Sequence, residues 1–425
     1  MKILIYGLNY SPELTGIGKY TGEMTEWLAC QGHDVQVITT PPYYPAWKIS
    51  SGYSAWKFTK KTANNITVFR CPLWVPAQPN ILTRIIHLLS FSIFSLPVLF
   101  KQIFFWRPSA VVCIAPSFFC APQTVFFCKF AGVKSWLHFQ DFEICAMLGS
   151  GMAGGGKKVS AVAHQLQSFI TRRFDTVSSI SHTMCASAER NSVSKNKVIL
   201  FPNWVDIDFI TPDADGSWVR EKWGIAAETK VVLYSGNLGK KQGLEIVLES
   251  AQEMEHRKDI LFIIVGDGAH KTELIRLSKQ MELGNIQFHS LQPYKLLPNL
   301  LRMADIHLVI QKRGTADAVL PSKLTSILSI GGHSVITAEP DTELGHIVRE
   351  NPGIATLIPP EKPEALTGAI IALCDNPGVG FGQVNQQARK YAENKLGKDA
   401  ILSQFERDLL EMVGRGRMKG LRTED

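Results

Sequence analysis

Residues 1–39, MKILIYGLNYSPELTGIGKYTGEMTEWLACQGHDVQVIT, hold a pattern that the rest of the chain repeats. Residues 3–6 are an apolar run stopped by Gly7, and the loop from Asn9 to Gly18 contains Pro12, Gly16 and Gly18. This reads as a buried strand feeding a loop. Tyr20, Met24, Trp27 and Leu28 then recur at helical spacing, Gly32 ends that helix, and residues 35–39 read as a second strand. Strand, loop, helix and strand within the first 39 residues form a βαβ unit, so the expected class is α/β, built on a doubly wound parallel sheet.

The pattern continues on both sides of a seam. Further strands are expected at 66–70, 110–114, 135–139, 177–179 and 198–201. A second series follows at 231–234, 261–265, 286–289, 306–310 and 335–337, alternating with helices near 243–256, 270–281, 295–303 and 322–330. The expected organisation is two Rossmann-like domains, 1–202 and 203–383, meeting at Pro202-Asn203-Trp204-Val205-Asp206. Residues 384–412 read as a C-terminal helix crossing back to the first domain, and 413–425 as a basic tail carrying Arg415, Arg417, Lys419 and Arg422. A length of 425 residues excludes a single small binding module.

Composition narrows the class further. With 45% apolar and 20% charged residues, 22 Phe and 9 Trp, the chain has material for large cores and no signature of disorder. Lys and Arg outnumber Asp and Glu by 45 to 38, and the resulting +7 names no partner by itself. Aromatic and basic residues are not interleaved along a stripe, which argues against nucleic acid. The 8 cysteines include no C-x-x-C pair, arguing against a zinc site or a disulfide framework. The start of the chain lacks the features of a signal peptide, so a reducing, cytoplasmic compartment is expected.

One segment departs from the soluble pattern. Residues 85–100 contain no Asp, Glu, Lys or Arg and are followed by Ile103-Phe104-Phe105-Trp106-Arg107. The stretch is shorter than the roughly 20 apolar residues of a spanning helix, and it contains His87 and Pro97. A buried helix pair and an interfacial hairpin, with Arg84, Lys101 and Arg107 at headgroup level, both fit residues 81–106.

Four segments are candidates for chemistry. Gly16-Ile17-Gly18 sits at a strand-to-helix turn where backbone N–H groups can approach an anion, yet it matches neither a Walker loop nor the dinucleotide fingerprint. The turn Ser235-Gly236-Asn237-Leu238-Gly239-Lys240-Lys241-Gln242-Gly243 suits a diphosphate, or is a solvated charged loop. Ser322 reads as an N-cap in Leu320-Pro321-Ser322-Lys323, where Lys323 stands against the helix dipole. That cation calls for a bound anion or an acidic neighbour such as Asp317. Val265-Gly266-Asp267-Gly268 ends another strand on the same expected rim.

Taken with His138-Phe139-Gln140-Asp141, the seam, and Gln311-Lys312-Arg313-Gly314 through Leu324, these segments resemble the retaining glycosyltransferases of family 4, which have the GT-B fold. Within that family the likeness is to members that transfer fucose in colanic acid assembly. The resemblance implies a nucleotide-sugar donor, GDP-fucose first and GDP-mannose or a UDP-sugar as alternatives, and a lipid-linked acceptor, an undecaprenyl-diphosphate-linked glucose. It places Gly16, Gly18, Asn237, Lys241, Gly266, Lys323 and Ser326 at the donor, Glu13 at the acceptor, and His138, Asp141 and Asp317 at the reacting groups. The family's Arg and Lys in the G-R-L-x-x-x-K-G turn are replaced by Asn237 and Gln242, and serine stands at 326 where its second glutamate would fall. No D-x-D motif lies in these segments, so no metal is expected. Front-face attack assisted by the leaving phosphate, which the family is generally held to use, needs no enzyme nucleophile. Peripheral contact with the inner face of the cytoplasmic membrane through 81–106 completes the expectation, and a GT-B sugar-nucleotide epimerase, which has no use for that segment, is the alternative from another class.

Overall fold

In β1 (Lys2–Gly7) the side chains of Ile3, Leu4, Ile5 and Tyr6 are all buried, as in a strand covered on both faces. The computed structural model describes residues 1–13, 16–115, 118–140, 165–190, 193–314 and 321–420, with 415–420 described in backbone only. The chain divides into two units, Met1–Pro202 with Leu402–Asp425, and Asn203–Ile401.

The first unit is built on β1, β2 (Asp34–Thr39), β3 (Thr59–Ala63), β4 (Ile66–Arg70), β5 (Ala110–Ala115), β6 (Lys134–Phe139), β7 (Thr176–Ser179) and β8 (Val198–Leu200), in the order β3-β4-β2-β1-β5-β6-β7-β8. All neighbours run parallel except β3 and β4. From β1 the chain first builds outward through β2, then reverses to β5, so the switch point lies between β1 and β5. Gly7 closes β1 against β5, where a Cβ would stand 3.1 Å from that of Ile114.

In the second unit β9 (Lys230–Ser235), β10 (Ile260–Val265), β11 (Ile286–His289), β12 (Ile306–Val309), β13 (His333–Thr337) and β14 (Thr356–Ile358) form a parallel sheet in the order β11-β10-β9-β12-β13-β14. Strand alternation divides its core. Val231, Leu233 and Ile263 enter one apolar cluster and Val232, Tyr234 and Phe262 the other, so helices cover both faces. Its switch point lies between β9 and β12. Below it Asp305 is buried, accepting from Arg220 at 2.5 Å and from the backbone of Val231 at 2.7 Å.

Residues 81–106 are neither a hairpin nor a helix pair. Asn80 and Thr83 form a capping box, and one helix, Ile81–Lys101, continues through a π-helical turn, Gln102–Trp106. The 26 residues Ile81–Trp106, of mean hydropathy 1.7, are by length and composition enough to cross a membrane, a length missed when only the uncharged core of the segment is counted. The C-terminal stretch also differs from one continuous helix over 384–412. Leu396 and Lys398 bond the backbone of Val205 at 2.8 and 3.0 Å, and this bridge separates Gln386–Lys395 from Lys398–Gly420.

Candidate functional site

At the carboxyl end of β9 the chain must turn sharply beneath the loop that follows β10. Gly266, at φ +153°, passes so close to Gly236 that a Cβ would fall 1.9 Å from the Gly236 carbonyl oxygen. Gly268 does the same against Leu238, at 2.4 Å. Backbone bonds from Gly236 to Val265 and from Leu238 to Asp267, both 3.0 Å, lock the loops together. Only glycine fits these crossings. The loop after β12 joins them, because the Lys312 N–H donates to the Lys241 carbonyl at 3.1 Å and the Lys312 stem lies across Gly243. The loops after β9 and β12 flank the switch point, where open α/β sheets bind ligands.

Lys323 enters this rim from the helix Ser322–Ser329. Its Nζ donates to the Tyr234 hydroxyl at 3.3 Å, lies 4.5 Å from that ring's centroid, and the hydroxyl passes a hydrogen bond on to the Asn237 carbonyl at 2.8 Å. Loss of solvation lowers the Lys323 pKa to about 8. Among the described residues Lys323 forms no ion pair. Among the described residues no side chain caps this helix, and Pro321 rather than Ser322 stands at its N-cap. A desolvated ammonium beside this helix start, with Gly236 leaving the approach open, is an arrangement chemically able to hold a polyanion. Asn237 and Lys241 are exposed on the same rim, while the Ser326 hydroxyl donates back to the Ser322 carbonyl at 3.3 Å. Lys312 belongs to this group and was not singled out above; the signal was present in Gln311-Lys312-Arg313-Gly314.

In the first unit, Glu13 is a structural hub. One carboxylate oxygen accepts from the Asn9 side chain at 2.9 Å, and the other from the backbone of Tyr43 and of Tyr44, each at 3.0 Å. Its side chain fills the space left by Gly18, where a Cβ would sit 2.7 Å away. Gly16 opens the helix Gly16–Cys30 at φ +60°. His138 is 2% exposed, its Nδ1 stands 2.8 Å from the Ser178 hydroxyl, and its ring packs on Phe201. Burial pushes its pKa down to about 3, so the imidazole is a neutral core group. Asp141 and Asp317 lie outside the described residues. The rim of the second unit thus gathers Asn237, Lys241, Gly266 and Lys323, whereas Glu13, Gly16, Gly18 and His138 belong to the first unit.

Comparison with known proteins finds a family model over each part of the chain. Residues 218–395 match the family described as Glycosyl transferases group 1, and 15–204 the Glycosyl transferase 4-like domain. A protein of Escherichia coli (strain K12) named "Putative colanic acid biosynthesis glycosyl transferase WcaI" is 48% identical over 413 residues, covering 96% of this chain and 100% of that one. Among solved structures, sucrose-phosphate synthase from Thermosynechococcus elongatus superposes with a TM-score of 0.75 at 14% identity, covering 97% of this chain and 99% of that one. HepE of Anabaena, solved in complex with UDP, gives 0.69 at 13% identity, covering 97% and 100%.

Proposed function

The chain belongs to the group 1 glycosyl transferases of GT-B fold, and from that premise we propose that it transfers fucose, with retention, from GDP-fucose to an undecaprenyl-diphosphate-linked glucose in colanic acid assembly. The observation that supports the donor half is Lys323, a desolvated cation without a counter-charge among the described residues, of the kind that would stabilise the charge of a leaving diphosphate. The lysine takes the place of a metal ion: it neutralises the leaving GDP, the helix start supplies N–H donors, and the Gly236 turn lets the phosphates approach. The name of the 48% identical relative supports the pathway.

The helix Ile81–Lys101 supports peripheral attachment to a membrane. Its protein-facing side buries Leu88, Phe91 and Leu99 together with its polar groups: Ser95 bonds the Tyr6 hydroxyl at 2.6 Å, Ser92 the Phe119 carbonyl at 2.8 Å, and His87 the Trp74 carbonyl at 2.7 Å. Leu82, Ile86, Ile93, Phe100 and Phe105 are exposed instead, beside Phe126 and Phe130 of the helix Ala121–Ala131. An apolar face turned outward calls for an apolar neighbour. Residues 35–140 contain 10 Lys and Arg and no Asp or Glu, so the region's charge favours anionic lipid.

A thermal-shift screen over GDP-, UDP- and dTDP-sugars tests the donor, since a ligand held only by the folded state raises Tm. GDP-fucose is expected to give the largest shift, and Lys323→Met to abolish it. A UDP-sugar dominating the screen rejects the donor assignment.

A further inference from the structure

The first unit contains a cavity of about 200 Å³ at the end of β1, between the opening of the helix Gly16–Cys30, the loop around Tyr43, and the first turns of the helix Ile81–Lys101. Trp47, Arg84 and His87 line it. Trp47 is held at φ +51°, a backbone conformation that a bulky side chain rarely adopts and that the surroundings must enforce. The Arg84 guanidinium stands 5.3 Å from the Trp47 ring centroid, and the His87 ring is also 5.3 Å from it.

Two polar atoms here are left over. His87 is 1% exposed, and its Nδ1 lies 2.7 Å from the Trp74 carbonyl, an acceptor, so the proton is on Nδ1 and Nε2 keeps its lone pair. Among the described residues that buried Nε2 has no partner, and neither has the buried Nε of Arg84. Loss of solvation, with Arg84 close by, lowers the His87 pKa and keeps the ring neutral. Among the described residues no carboxylate pairs with Arg84. Buried unpaired groups call for an explanation, and here they are an acceptor and a cationic donor around an aromatic plate. The complementary ligand has a hydroxyl to donate, an anionic group, and an apolar ring face.

We propose that this cavity holds the sugar-diphosphate head of the lipid-linked acceptor: Trp47 stacks on the sugar, His87 Nε2 accepts from one of its hydroxyls, and Arg84 pairs with the diphosphate. Arg84 lies on the helix whose outer face is apolar, so the lipid can leave along Leu82, Ile86 and Ile93. This rests on the reading of the chain as a transferase acting on a lipid-linked sugar.

The test is direct binding, independent of turnover. The full chain is titrated by calorimetry with decyl diphosphate glucose and with uncharged decyl glucoside, after melting curves establish that each variant folds. Arg84→Gln is expected to weaken the diphosphate ligand about ten- to a hundredfold and the glucoside less than about twofold, with Arg84→Lys recovering part of the loss. Trp47→Ala is expected to weaken both ligands about tenfold. Wild-type affinity for the diphosphate ligand in both Arg84→Gln and Trp47→Ala overturns the proposal, as does a wild-type chain that binds neither ligand. If the variants behave as expected while GDP-fucose is inert with the same acceptor, this site stands and the donor assignment falls.

Discussion

Lys323 titrates in the range where enzymes are assayed, which makes its role measurable. With its pKa lowered to about 8 by lost solvation, the free protein carries this charge below pH 8 and loses it above. A bound diphosphate favours the charged form and raises the pKa of the complex. GDP affinity is therefore expected to be flat below about pH 8 and to fall by up to tenfold per pH unit above it, with Lys323→Arg flattening the profile; an unchanged profile in that variant contradicts the assignment. The interlocked glycines make a second prediction. Gly266→Ala places a Cβ 1.9 Å from the Gly236 carbonyl oxygen and is expected to cost ~2 kcal/mol or more in urea unfolding. Gly368→Ala, inside the helix Pro363–Cys374 with nothing within 4 Å, is expected to stabilise by about 0.5–1 kcal/mol. The sequence displayed Lys323 and Gly266 because a cation against a helix dipole and a glycine after an apolar strand are local oddities. It did not display the burial of His138, which follows from Ser178 and Phe201 reaching it from distant parts of the chain. His87 looked like a polar flaw in an apolar run until its neighbours Tyr43 and Trp47 were placed around it.

The helix Ile81–Lys101 has one face that folds the protein and another that does not. Phe91, Ser95 and Leu99 are buried, so deleting 81–106 removes core and is a poor test of membrane attachment. Replacing Phe105, Phe126 and Phe130 by Ser touches only exposed rings, 77%, 57% and 71% accessible. The triple variant is expected to keep its stability within about 0.5 kcal/mol per site while losing co-flotation with anionic vesicles at least about tenfold; unchanged flotation contradicts the docking surface. Removing the carboxylate that anchors β9 has the opposite profile. Asp305→Ala leaves Arg220 buried without its partner and is expected to cost about 3–5 kcal/mol with no effect on flotation, read by urea unfolding and the same vesicle assay. Element positions were largely legible, since strands covered on both faces are continuous apolar runs. The strand β3 was not, because Thr59-Lys60-Lys61-Thr62-Ala63 is exposed throughout and has no apolar alternation. Its signal was the turn Asn64-Asn65, both at positive φ, joining it to β4 as a hairpin.

The repeated strand–loop–helix grammar was enough to predict two parallel-sheet units, because each βαβ step constrains the next strand to the same direction. The strand orders that locate each switch point were out of reach of periodicity; they depend on which strand pairs with which, as with β12 joining β9 and not β11. Substrate identity lies further from the sequence still, because it depends on pocket shape. An epimerase requires no acceptor, whereas a transferase releases its nucleotide in step with a new glycosidic bond. The most direct measurement is therefore to incubate the full chain with GDP-fucose and undecaprenyl-diphosphate-linked glucose, without added metal, and follow GDP and the lipid product by mass spectrometry. GDP and a fucosylated lipid disaccharide formed in equal amounts are the predicted result; GDP-fucose left intact while a UDP-sugar is consumed, with or without acceptor, contradicts it.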